Sequence, residues 1–86
     1  MEKACLTTKD IINNGGTIYS VLRDIDDEWQ FFGKDEPEDE NIMVVSVEKI
    51  WQRFPDVKEL CKKLEMGFYA YRNGINEEWI IAKYES

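Results

Sequence analysis

The sequence predicts an α+β fold: a single domain with a mostly antiparallel sheet of about five or six strands and one or two short helices between strands four and five. Two observations predict it. Short stretches rich in β-branched and aromatic residues recur along the chain, separated by turns of Gly, Asn and Asp. Apolar residues at helical spacing are concentrated in one region, from Val47 to Leu64.

Ala4 to Leu6 reads as a short first strand, followed by a helical turn capped by a threonine and carrying Ile11 and Ile12. Asn13, Asn14, Gly15 and Gly16 then reverse the chain. From Thr17 to Arg23, Ile18, Ser20 and Leu22 share one side of a strand and Tyr19, Val21 and Arg23 the other. Both faces are partly apolar, which places this strand centrally. Asp24 to Glu28 is a polar turn, and Trp29 to Phe32 is the returning arm of a hairpin that ends at Gly33.

Lys34 to Asn41 contains Pro37 and five carboxylates, a composition whose self-repulsion keeps a loop open. Ile42 to Val47 is β-branched and continuous enough for a buried strand. Val47, Ile50, Trp51 and Phe54 are spaced for a short helix that stops before Pro55. Asp56 suits the N-cap of a second helix with Val57, Leu60, Cys61 and Leu64 as its apolar stripe and Gly67 beyond its end. Phe68 to Arg72, a turn at Asn73 and Gly74, and Glu78 to Tyr84 complete the sheet.

At 86 residues the chain has room for one core, so residues 1–86 form one domain. Its net charge of −7 opposes nonspecific binding to nucleic acid or anionic membrane over a Debye length of about 8 Å. A basic protein partner is favoured. No apolar run approaches the roughly 18–20 residues that span a bilayer, and the first residues lack a hydrophobic signal core, so a cytoplasmic location is expected. Cys5 and Cys61 have no CxxC spacing and are expected as buried thiols.

With no histidine in the chain, the usual general base and the Ser-His and Cys-His nucleophile pairs are missing. Carboxylate pairs such as Asp26 with Glu28 or Glu36 with Glu38 lie on polar loops, where both members stay ionised. The acidic stretch has aromatics where a calcium loop needs ligands and glycine, and no phosphate-cradling glycine motif is present. The expectation is a protein that is not an enzyme and carries no cofactor or metal.

The strongest feature is charge placement. Nine carboxylates fall between Asp24 and Glu40 against the single Lys34, so this segment carries −8 and the remainder +1. Such a run reads equally as a solvated edge that keeps a small β-rich protein soluble and blunts strand-to-strand aggregation, and as a partner site, since its self-repulsion exceeds what solubility alone requires. Trp29 and Phe31 lie within it and are the expected anchors, with Asp26, Asp27, Glu28, Asp35 and Glu36 supplying charge.

The order of features resembles the bacterial immunity-protein-33-like family, also called domain of unknown function 2185. The resemblance is carried by Tyr19 with Arg23, by Asp27 with Trp29, Phe31 and Phe32, by Gly33 with Asp35 and Glu36, by Asn41 with Ile42, and by Gly67 with Tyr71 and Arg72. It covers about residues 4 to 80. Glu28 stands where the family has glycine before the tryptophan, Gln30 where it has arginine, Lys34 interrupts its Gly-Asp-Glu, and Pro37 falls early, so the resemblance is to a divergent member. It implies an immunity-like protein that neutralises a toxin by tight protein–protein binding. The residues alone leave open a structural or regulatory interaction module without a toxin, acting as a monomer or weak homodimer.

Overall fold

The computed structural model describes residues 3–84. Along the chain these form β1 (Ala4–Thr8), α1 (Lys9–Asn13), β2 (Ser20–Arg23), β3 (Trp29–Phe32), a 3-10 turn (Asp39–Asn41), β4 (Ile42–Ser46), α2 (Val47–Arg53), α3 (Pro55–Lys63), β5 (Phe68–Tyr71) and β6 (Ile80–Lys83). The strands make one six-stranded sheet in the order β4-β1-β3-β2-β5-β6. All neighbours are antiparallel except β1 and β3, which run parallel. This is the α+β architecture read from the sequence, with α2 and α3 between the fourth and fifth strands as expected.

Local chemistry sets the helix boundaries. Thr8 caps α1 by accepting a hydrogen bond from the Ile11 amide, and Ser46 caps α2 by accepting one from Lys49. α2 stops at Phe54 because Pro55 disfavours helical backbone in the residue before it. Pro55 itself opens α3, where its missing N–H costs nothing. Asp56 therefore lies inside the first turn of α3, not at the N-cap where the sequence reading put it, and Phe54 takes the cap position. After α3, Gly67 adopts φ +84 and sends its amide to the Arg23 carbonyl at 2.8 Å. A side chain there would be strained.

Strand alternation divides the sheet into two unlike faces. Cys5, Val21, Trp29, Phe31 and Ala70 point to one side and pack with Ile11 and Ile12 of α1, Ile50 of α2 and Val57 and Leu60 of α3. On the other side the register aligns Val44, Leu6, Gln30, Leu22, Tyr69 and Ala82 in one row across the sheet. A second row holds Phe32, Ser20, Tyr71 and Ile80. No helix of the described residues covers this face. β4, expected to be buried, is a sheet edge paired with β1, and Val44 is 64% exposed.

Phe31 is fully buried while its neighbour Phe32 lies on the uncovered face. Phe31→Ala should cost about 3–5 kcal/mol of unfolding free energy in urea titration. Phe32→Ala should cost less than half as much, and equal losses would contradict the assignment of faces.

Candidate functional site

The acidic segment is split by the fold. Asp24 to Glu28 form the β2–β3 turn, while Asp35 to Glu40 follow the opposite end of β3. At about 3.3 Å per residue, the four-residue strand between them holds the two clusters roughly 13 Å apart. They are two rims, not one patch.

Part of the first rim is structural. Asp24 Oδ1 accepts hydrogen bonds from the Asp26 and Glu28 amides, each at 2.9 Å, which closes the turn. Asp27 sits at φ +62, a left-handed conformation that aspartate tolerates better than most residues. Its carboxylate accepts from Arg23 Nε at 2.6 Å and from Lys3 Nζ at 3.1 Å. Those two hydrogen bonds, Arg23 first, hold the Asp27 carboxyl below the ordinary carboxylate range. Arg23 also donates to the Leu64 carbonyl at 2.8 Å and lies 5.1 Å from the centre of the Trp29 ring. One guanidinium thus links the turn, the end of α3 and the core.

Asp27 was expected to supply charge to a partner; its charge is instead spent within the fold. Trp29 and Phe31, expected as anchors, point to the helix-covered side, stacked on each other at 5.9 Å and 7% and 0% exposed. Alternation decides this, since the side facing the helices is the side facing away from a partner. Asp26, Glu28, Asp35 and Glu36 are exposed, and none forms an ion pair among the described residues. These four remain available.

The uncovered face supplies surface aromatics that the sequence reading did not assign. Ser20, Leu22, Gln30, Phe32, Tyr69 and Tyr84 line an open hollow of about 600 Å³. Across Gln30 a second hollow of about 270 Å³ is lined by Ala4, Leu6, Val44 and Glu28, so the first acidic rim borders this face directly. At the other end of β3, Asp35, Glu36 and Glu38 line a third, polar hollow with Thr8, Asp10 and Lys34. Residues 20, 22, 30 and 32 alternate with buried 21, 29 and 31, so the pattern was present in the sequence; which face would be covered was not.

Both thiols are buried, which pushes Cys5 up to about 12 and Cys61 up to about 11. Neither is a thiolate at neutral pH. Among the described residues no cluster of three or more Cys, Asp or Glu side chains is arranged to hold a metal ion, and no helix is long and apolar enough to cross a membrane. Comparison with protein-family models, curated proteins and solved structures finds no match for this chain.

Because its carboxyl is held low in the folded state, Asp27 stabilises the protein fully above its unfolded pKa of about 3.9 and loses that contribution as pH falls through the lower folded value. Asp27→Asn keeps the left-handed turn and removes the charge. Urea midpoints should show the variant weaker by about 0.5–1 kcal/mol at pH 7, with the difference closing as pH drops below 4. A separate check is thiol titration with an aromatic disulfide reagent at pH 7. Neither cysteine should react in the native protein and both should react in guanidinium.

Proposed function

We propose that this chain is an acidic protein-binding module, and that its partner is a basic toxin which it neutralises, as the family resemblance implies. The observation that carries the reading is a sheet face left uncovered, bearing aromatic side chains and bordered by Glu28, with further carboxylates that form no ion pair among the described residues beyond the other end of β3. Apolar and aromatic surface of this kind gains free energy when a partner excludes water from it. The rims steer a cationic partner and disfavour an anionic one. A toxin that acts on nucleic acid would present a basic substrate-binding surface, and an anionic protein would compete for it. The anchors in this reading are Phe32, Tyr69 and Tyr84, replacing Trp29 and Phe31.

Self-association is a second reading, favoured by the β6 edge. Ile80 and Ile81 are 44% and 45% exposed on opposite faces of a strand paired on one side only. Sedimentation across a concentration range separates the two.

The primary test is co-expression with the toxin encoded beside the gene, followed by association kinetics at two salt concentrations. Rescue of the host and salt-sensitive association are expected. Reversing Asp26, Glu28, Asp35 and Glu36 to lysine should slow association about tenfold or more while leaving the urea midpoint near that of the parent. Unchanged kinetics would remove the rims from the interface; absence of both rescue and binding would remove the toxin reading.

A further inference from the structure

Resting on the binding-module reading, we propose that the hollow of the uncovered face receives an arginine side chain of the protein partner, its guanidinium held in the corner of Tyr69 and Tyr84, stacked on one ring and edge-on to the other. The geometry is that of a corner. The Tyr69 and Tyr84 rings are 6.3 Å apart at an interplanar angle of 84°, so they present two nearly perpendicular aromatic walls, and Phe32 lines the same hollow. Tyr71 stacks on Tyr69 at 5.8 Å and extends the aromatic surface. A cation placed against such faces is attracted by the negative charge of the π clouds.

Among the described residues that line the hollow, Lys83 is the single cation. Ser20, Leu22, Gln30, Phe32, Tyr69 and Tyr84 are all neutral, while Val21 and Lys83 also border the hollow but belong by register to the opposite face. Among the described residues, the four cation–aromatic pairs use Trp29, Tyr19 and Trp79, and leave Phe32, Tyr69 and Tyr84 without an internal cation. Nor does any hydrogen bond of those residues engage the side-chain polar groups of Ser20, Gln30, Tyr69 or Tyr84. Aromatic walls with free oxygen acceptors suit a planar, multiply donating guanidinium better than an ammonium. Charge complementarity selects the class of partner. Glu28 borders the adjoining hollow and Asp35 and Glu36 lie beyond the far end of β3, which favours a basic protein segment and opposes a nucleic-acid strand that could otherwise stack on exposed rings.

The test titrates the isotope-labelled full chain with hexa-arginine amide, and in parallel with hexa-citrulline amide, which keeps the shape and loses the charge. Arginine should shift the amides of Ser20, Leu22, Gln30, Tyr69 and Tyr84, and citrulline should leave them in place. Tyr84→Leu, at an exposed site near the end of the sheet, should weaken arginine binding about fivefold or more without changing the rest of the spectrum. Tyr69→Leu should do the same. Shifts confined to the acidic turn and the Asp35 to Glu40 loop, unaffected by either variant, would overturn the arginine site and leave the acidic binding module standing. No shifts anywhere would remove both. Shifts of the hollow by an oligothymidine, or by protein concentration alone, would overturn the proposal in favour of a nucleic-acid strand or a second copy of the chain.

Discussion

Coverage of the sheet is limited by how little helix this chain has. α3, the longest at nine residues, is about 13 Å long, whereas six strands at about 4.8 Å spacing make a sheet roughly 24 Å wide. The helices also share one side, because the apolar stripes of α1, α2 and α3 all join the cluster built on Cys5, Val21, Trp29, Phe31 and Ala70. Everything proposed for the protein depends on that economy. One face becomes a core, the other keeps its aromatics at the surface, and Ile80 and Ile81 of β6 stay exposed at the sheet edge.

Two arginines hold the covered side to the chain around it. Arg23 joins the acidic turn to the Leu64 carbonyl after α3 while lying over Trp29. Arg72, 8% exposed, donates twice to the Ile18 carbonyl, once to Ile75 and once to Asp56, and sits 4.3 Å from the centre of the Trp79 ring. Each places its charge against carbonyl oxygens and an aromatic face, where a guanidinium can satisfy several acceptors at once. Among the described residues no cation–aromatic pair uses Phe32, Tyr69 or Tyr84 of the uncovered face, and that contrast gives its open tyrosines their chemical interest.

The charge distribution has a related logic. A run of nine carboxylates would repel itself as one patch. Inserting β3 divides it, and the Asp24 carboxylate is taken up by amides of the turn and the Asp27 carboxylate by Arg23 and Lys3. The remaining carboxylates lie beyond the two ends of the same strand, Glu28 beside the uncovered face and Asp35, Glu36 and Glu38 beside the start of α1.

The sequence by itself determined the element types and most of their order. Alternation in β2 and β3, the hairpin between them, the Thr8 and Ser46 caps and the break at Pro55 are local effects, decided within a few residues by sterics and hydrogen bonding. It also determined that most of the acidic segment would lie in loops and turns, where Asp26, Glu28, Asp35 and Glu36 are exposed. Tertiary structure decided which side of each strand met the helices. Trp29 and Phe31 have the same aromatic character as Phe32 and Tyr69, and a strand's pattern is unchanged when its two faces are exchanged. That choice is made by the register across β4, β1, β3, β2, β5 and β6 and by contacts far apart in sequence, so it turned the expected anchors into core and assigned the exposed face to residues no local signal could single out.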